Sequence, residues 1–155
     1  MTTSQPRIEA VTALPGMILE IHWRAGRMTR ASLGGLVRAS QGLAALADEK
    51  LFKRAKVIDW GWAVGWPGGI DLSARMLDRL AREQAGDYMP ASAFLAWRRS
   101  EGLTQRGAAA ALGLSPRMIK YYESGEKPVP KTVKLACRGF SGGVAARRKR
   151  ARRAA

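Results

Sequence analysis

Two short helical segments joined by a tight turn, within residues 103–125, constrain the fold of this chain most strongly. Thr104 is placed to cap the first segment, and Gly113 to end it, because glycine tolerates the left-handed conformation that follows many helices. Ser115 is placed to cap the second segment, with Pro116 at its first position, where the missing N–H has no helical partner to lose. The pattern therefore predicts a pair of helices whose limits are set by their own residues.

The positive charge of the chain is concentrated in its second half. Residues 1–91 hold 12 Lys or Arg and 9 Asp or Glu, a net charge of +3, whereas residues 92–155 hold 15 and 3, a net charge of +12. General solubility does not require such an asymmetry. We therefore expect only the second half to meet a polyanion.

The chain has one cysteine and no segment typical of secretion or membrane insertion. Cys137 excludes an internal disulfide, and it falls in an apolar helical pattern that is typical of a small core residue. The N-terminus lacks a basic segment followed by an apolar run, and no apolar run approaches the roughly 20 residues that span a bilayer. We expect a soluble, reduced, cytoplasmic protein.

Alternating apolar and polar residues predict an antiparallel meander in the first half, after a loose start over residues 1–6. Five strands are predicted over residues 7–14, 17–23, 27–31, 53–59 and 60–64. Three helical segments are predicted over residues 32–38, 48–52 and 74–84. Residues 66–72 are interpreted as a turn that leads into the last helix, with Ser73 as the cap of that helix.

The first half carries three recognisable segments: VTALPGMILEIHW, LADEKLFKRAKV and WPGGIDLS. Together they resemble domain-of-unknown-function family 2442, a family of small bacterial domains, over about residues 7–82. The resemblance implies a small α+β domain with no established chemistry, often carried alone or beside a helix-turn-helix. The chain departs from the family at the turn over residues 24–26, where Arg-Ala-Gly replaces a turn with an acidic residue.

No group of residues in the first half supports catalysis or metal binding. His22, the single histidine, falls in a strand pattern, and Asp59 and Asp71 are isolated acids near turns, where capping is the simpler role. No Cys/His cluster has metal-ligand spacing, and residues 66–69 lack the Gly-Lys-Ser/Thr ending of a phosphate loop. Five tryptophans are interpreted as core or rim residues, with a recognition surface as the alternative. We expect no enzymatic activity, no cofactor and no metal.

The composition changes again after the last helix of the first half. A linker is predicted where Gly86, Asp87 and Pro90 occur close together, followed by a helix capped by Ser92. We expect an α+β protein with an antiparallel first domain and an all-α second domain of four or five helices. We predict the α+β domain over residues 1–84 and a linker over residues 85–91. The all-α domain is predicted over residues 92–140, followed by a basic disordered tail over residues 141–155.

The second half also contains a series of residues at fixed offsets: Arg98, Gly102-Leu103-Thr104-Gln105, Ala109, Leu112-Gly113, Ser115, Ile119 and Glu123-Ser124-Gly125. With the turn at Pro128 and Pro130, this series resembles the Cro-like phage-repressor family of helix-turn-helix domains, also called the xenobiotic-response-element family. The resemblance covers about residues 92–138. It implies an all-α domain that binds double-stranded DNA, and an internal ion pair between Arg98 and Glu123.

In such domains the N-terminal end of the second helix enters the major groove, so the DNA-binding residues are expected there and beside it. The expected set is Gln105, Ser115, Arg117, Met118, Lys120, Tyr121 and Lys127. Arg117 is the candidate for base readout, because a guanidinium pairs bidentately with guanine at roughly 1–3 kcal/mol of discrimination. Lys120 is expected to favour phosphate, whereas Tyr121 can reach a base or a phosphate. The resemblance assigns Gln105 to a phosphate and to bracing the second helix, and Pro116 replaces a residue that often reads a base.

Six positive charges in seven residues mark the C-terminal tail: Arg147, Arg148, Lys149, Arg150, Arg152 and Arg153. Such a segment cannot pack into a core. We expect a disordered arm that follows DNA phosphates and raises non-specific affinity in a salt-dependent way, with a solvated tail of no function as the alternative.

Taken together, the sequence predicts a sequence-specific DNA-binding protein that acts as a transcriptional regulator. A homodimer is expected, because a single domain of this type touches few base pairs. The alternative is an antitoxin-like protein that binds a toxin partner through the first domain and its own operator through the second.

Overall fold

The computed structural model describes residues 5–154 of the chain, which form two compact units divided between Gln84 and Ala85. This division falls where the sequence predicts that the first domain ends. The predicted loose start over residues 1–6 lies mostly outside the described residues. The predicted α+β class, with an antiparallel first part and a helical second part, is confirmed.

The first unit begins with an antiparallel sheet of three strands in chain order: β1 (Ile8–Leu14), β2 (Ile18–Trp23) and β3 (Met28–Ser32). Because side chains alternate along a strand, Leu19, Ile21 and Trp23 of β2 all point into the core and are buried. The opposite face of the same strand carries Glu20 and His22, which lie 3.4 Å apart. His22 is therefore an exposed strand residue.

A second antiparallel sheet follows three short helical segments, which are α1 (Gly34–Ala39), a 3₁₀ helix (Gln41–Ala47) and α2 (Glu49–Phe52). Its three strands also pair in chain order: β4 (Lys56–Ile58), β5 (Ala63–Trp66) and β6 (Ile70–Ser73). The interpretation of residues 66–72 as a turn is wrong, because only residues 67–69 turn and β6 pairs with β5. Gly68 and Gly69 are both left-handed, with φ of +93° and +79°, which lets the chain reverse within three residues.

The last helix of the first unit is α3 (Ala74–Gln84), and it completes a single core with both sheets. Ser73 Oγ accepts a hydrogen bond from Met76 N, so the predicted cap is confirmed. On the core side, Leu77 is fully buried, and Phe52 and Trp66 place their ring centroids 6.0 Å apart. The indole of Trp66 donates to the carbonyl of Phe52 at 3.0 Å, which satisfies its only polar group.

The turn that joins β4 to β5 is strained. Asp59 and Trp60 have φ of +50° and +52°, a conformation that costs an ordinary residue roughly 1–2 kcal/mol. Gly61 follows with φ of +94°, and a Cβ atom there would lie 2.4 Å from the carbonyl oxygen of Ile8. The turn leaves the Trp60 side chain 82% exposed, so the interpretation of all five tryptophans as core or rim residues is wrong at this position.

We predict opposite tolerances at the two neighbouring positions of this turn. Gly61→Ala should lower the free energy of unfolding by at least about 2 kcal/mol, because the added Cβ meets backbone and its φ is unfavourable for alanine. Trp60→Gly should change it by no more than about 1 kcal/mol, since relief of the left-handed strain offsets the greater freedom of the unfolded chain. Urea titrations of the two variants measure both changes, and equal losses would contradict the role assigned to Gly61.

Over residues 85–154, the second unit contains four helices and a short two-stranded ladder: α4 (Ala91–Ser100), α5 (Gln105–Leu112), α6 (Pro116–Ser124), α7 (Lys131–Ala154), β7 (Tyr88–Met89) and β8 (Val129–Pro130). The prediction of a linker over residues 85–91 is wrong, because β7 pairs with β8 and Met89 packs on the core of the unit. Pro90 takes the cap position of α4 in place of Ser92, since α4 already begins at Ala91.

Aromatic packing and small residues build the core of the second unit. The rings of Phe94 and Tyr122 meet edge to face with centroids 5.5 Å apart, and Ala108 and Ala109 are buried where α5 packs closely. Cys137 is also buried, as predicted, and burial raises the pKa of its thiol to about 11. The thiol therefore stays protonated near neutral pH and serves as a small apolar residue.

The prediction of a disordered tail from residue 141 is wrong, because α7 continues to Ala154. Ser141 explains the continuation: its hydroxyl accepts from the Trp97 indole at 3.1 Å and donates to Glu101 at 2.5 Å. Phe140 adds an edge-to-face contact with Trp97, at a centroid distance of 5.9 Å. Gly142 and Gly143 follow this contact and disfavour a helix, whereas residues 144–154 are rich in alanine and arginine, which have high helix propensity.

The described part of the chain holds no helix that combines the length and the apolar character of a bilayer span. Between residues 5 and 154, no three His, Cys, Asp or Glu side chains are grouped so that they could hold a metal ion.

Candidate nucleic-acid interface

Side-chain caps fix the N-terminal ends of both α5 and α6, and a left-handed glycine ends α5. Thr104 Oγ1 accepts from Gly107 N at 3.0 Å, and Ser115 Oγ accepts from Met118 N at 3.2 Å. Gly113, in the left-handed conformation, ends α5 and leaves a three-residue turn before α6. The caps predicted at all three positions are confirmed. Each first turn is thereby fixed, which defines where the N-terminal end of α6 points.

A network of hydrogen bonds around Glu123 ties α4, α5 and α6 together. The guanidinium of Arg98 donates to the Glu123 carboxylate, and its other side donates to the Leu103 carbonyl at 2.8 Å. Gln105 Nε2 donates to the second carboxylate oxygen of Glu123 at 2.8 Å. The structure thus forms the Arg98–Glu123 pair that the family resemblance implies, and it adds Gln105 to that pair. In this position the Gln105 amide braces α6 against the first turn of α5.

The network controls the ionisation of Glu123. Burial alone would raise the pKa of its carboxyl group, but the hydrogen bonds from Arg98 and Gln105, with the positive charges of Arg98 and Arg99, lower that pKa below its ordinary value. The side chains of Arg98 and Glu123 are only 15% and 10% exposed, so the pair is poorly screened by water. The pair therefore carries more weight than an ion pair at the surface.

Tyr121 holds two of the predicted DNA-binding cations. Arg117 Nε donates to the Tyr121 hydroxyl at 2.6 Å, and its guanidinium carbon lies 5.3 Å from the ring centroid. Lys127 places its ammonium 5.2 Å from the same centroid, and its backbone N–H donates to the Tyr121 carbonyl at 3.1 Å. We call these three residues the Tyr121 cluster. The i, i+4 spacing of Arg117 and Tyr121 is the sequence signal that two of these residues meet, whereas the contact of Lys127 has no such local signal.

The other predicted residues take different positions. Lys120 and Ser115 are exposed on α6 and at its cap, and the Ser115 hydroxyl keeps a proton to donate after accepting its capping bond. Met118 is partly buried and packs against the core of the unit. The side chain of Met118 therefore serves packing. Tyr122 follows Met118 by four residues and Ile119 by three, so all three side chains lie on the inner face of α6.

We predict that the Glu123 network stabilises the second unit. Glu123→Gln should lower the free energy of unfolding by about 2–3 kcal/mol, because it leaves the largely buried guanidinium of Arg98 without its counter-charge. Glu126→Gln is the matched control, since Glu126 is exposed and enters no ion pair within residues 5–154. The control should change stability by less than about 0.5 kcal/mol. Urea titration of both variants measures the difference, and equal effects would contradict a structural role for the network.

The same network predicts a pH dependence. Because the pKa of Glu123 is lowered on folding, the stability that it contributes is complete above the ordinary value of 4.5 and is lost as the pH falls below it. The stability difference between the wild type and Glu123→Gln should therefore shrink between roughly pH 6 and pH 3. A difference that stays constant over this interval would show that the carboxylate charge is not the stabilising element.

The chain is similar to one family of known sequence and to one solved structure. Residues 95–140 match the sequence model of the helix-turn-helix family. The chain is also similar to a solved structure from Nitrosomonas europaea ATCC 19718, whose name provisionally describes a DNA-binding protein; the identity is 31%, the match covers 88% of this chain and 86% of that chain, and the TM-score is 0.49. No curated protein matches the chain. Residues 95–140 are therefore similar in sequence to the helix-turn-helix family.

Proposed function

We propose that the chain is a sequence-specific DNA-binding protein that regulates transcription, with α6 as its recognition helix. The observation that carries this proposal is the Tyr121 cluster, which presents Arg117 from the first turn of a capped helix. In the helix-turn-helix class, this end of the second helix contacts base edges in the major groove. The net charge of +12 over residues 92–155 supplies the attraction to DNA that such binding needs.

The geometry of Arg117 suits the recognition of guanine. Its Nε is engaged by Tyr121, which leaves both terminal nitrogens to donate to O6 and N7 of one guanine. Because the side chain is held in one orientation before DNA arrives, less conformational entropy is lost on binding. Pro116, next to it, offers no donor or acceptor to a neighbouring base. We therefore propose that base readout by α6 is concentrated on Arg117, with Tyr121 as its support.

Contacts with the phosphate backbone are proposed for residues on either side of α6. Lys127 is held near Tyr121, and Lys120 is exposed on α6. The N-terminal end of α5 offers backbone N–H groups and the Gln105 amide to a phosphate, at the positive end of the helix dipole. These contacts carry no sequence information of their own, and they fix the register of α6 in the groove.

We further propose a homodimer on DNA. One helix pair reaches few base pairs, and helix-turn-helix proteins usually bind two half-sites about one helical turn apart. Selection of bound sequences from a random DNA pool tests this arrangement, because a dimer enriches a palindromic site. A site without two-fold symmetry would contradict the dimer, whereas the absence of any enriched site would contradict sequence-specific binding.

We predict different effects for the two cations of α6. Arg117→Ala should relax base preference at one position of the enriched site, with a loss of roughly 1–3 kcal/mol against the preferred guanine. Lys120→Ala should weaken binding about equally on all sequences and lower the salt dependence, as expected for a phosphate contact. Titration of each variant on the enriched site and on single-base variants of it separates the two roles. Uniform weakening by Arg117→Ala would contradict base readout.

One observation favours a second function, in which the first unit binds a protein partner as an antitoxin does. Trp60 is 82% exposed and sits in a turn that pays backbone strain to present it. Co-expression with the product of a neighbouring gene tests this proposal. A toxic product that co-purifies with the wild type and is released by Trp60→Ala supports it, and a neighbouring product that is not toxic or does not bind contradicts it.

A further inference from the structure

A positively charged cleft of about 450 Å³ lies in the second unit, between the end of α4 and the outer half of α7. Six of the residues that line it matter for its chemistry: Ser100, Glu101, Ser141, Arg148, Lys149 and Arg152. The charge pattern of the tail alone does not distinguish the three cations from their neighbours or connect them with α4. The cleft exists because α7 remains helical beyond residue 140.

The cations that line the cleft outnumber its acidic residues. No ion pair in the described part of the chain includes Arg148, Lys149 or Arg152. The one acid in the lining, Glu101, accepts a hydrogen bond from Ser141 at 2.5 Å, which joins α4 to α7. Three positive charges therefore face one carboxylate that is already engaged, and the cleft favours an anion.

Helix geometry separates these cations from the other charges of the tail. Residues 141, 145, 148 and 152 repeat every three or four positions, so they lie along one face of α7. Arg147 and Arg150 fall on the opposite face by the same rule and do not line the cleft. A disordered arm would not make this distinction, because its charges would be equivalent.

The position of the cleft relates it to the proposed DNA contacts. Glu101, which lines the cleft, precedes Thr104 at the N-terminal end of α5 by three residues, a span of at most about 10 Å. A DNA backbone that contacts the first turn of α5 thus passes close to the cleft.

We propose that this cleft binds backbone phosphates of the same DNA, next to the phosphates held at the N-terminal end of α5. This inference rests on the proposed DNA-binding function. The helix α7 then acts as a fixed clamp on the DNA backbone, and two of its arginines, Arg148 and Arg152, each neutralise about one phosphate. Such contacts release counterions, which gives them a measurable signature in the salt dependence of binding.

The test compares two double variants that remove the same charge from opposite faces of one helix. Arg148→Gln/Arg152→Gln removes charge from the cleft, and Arg147→Gln/Arg150→Gln is the matched control. Glutamine retains a long polar side chain and a helix propensity close to that of arginine. The probe is a labelled mixed-sequence duplex of roughly two helical turns, titrated with the full chain between about 50 and 200 mM salt.

In the cleft variant, the negative slope of log K against log salt should become shallower by about 1.8, since each lost phosphate contact removes about 0.9 from its magnitude. Its affinity near 0.1 M salt should fall at least tenfold. The control should change the slope by less than about half as much, because it alters only the overall electrostatic attraction between the protein and the DNA. Equal changes in both variants, or no change in either, would overturn the clamp.

The outcome also separates this inference from the proposed function. If the wild type binds the duplex and the two double variants behave alike, only the clamp fails. If the wild type does not bind at low salt, the proposed function itself fails. Circular dichroism checks that both variants keep the helical content of the wild type, and loss of helix in the cleft variant alone would assign its residues to folding and overturn the clamp.

Discussion

The arrangement of the second unit depends on the hydrogen bonds that Arg98 and Gln105 both donate to the carboxylate of Glu123. This carboxylate receives Arg98 from α4 and Gln105 from α5, and it lies near the end of α6, so one group fixes three helices relative to one another. The lowered pKa of Glu123 shows that the folded environment favours its charged form despite partial burial. Under the proposed function, α6 must lie at a defined angle to its support, so the network would serve recognition of DNA as well as stability.

A second level of organisation lies on the surface of α6. Tyr121 engages Arg117 through its hydroxyl and ring and holds Lys127 beside the same ring. The side chain proposed to read a base and a side chain proposed to hold the backbone are therefore oriented by one aromatic residue. The structure also replaces the expected flexible arm with a helix, so the charges of the C-terminal segment have defined directions.

The parts of this structure that could be predicted from sequence are those with local causes. The caps Thr104 and Ser115 and the left-handed Gly113 follow from the preferences of single residues, and the pair Arg98–Glu123 was implied by family resemblance. Non-local contacts account for the errors. Strand β6 was hidden by its two-glycine turn, β7 needs a partner 40 residues away, and α7 persists because Ser141 bonds to α4. The resemblance of the first unit to family 2442 stays a prediction.

Readout of guanine by Arg117 of α6 in the major groove can be examined by chemical substitution of the DNA. Replacing the preferred guanine of the selected site by 7-deazaguanine removes the N7 acceptor alone. We expect this change to weaken binding by the wild type roughly tenfold and to leave binding by Arg117→Ala unaffected, so that the two losses are not additive. Equal weakening of both proteins, or no effect on the wild type, would contradict readout by Arg117.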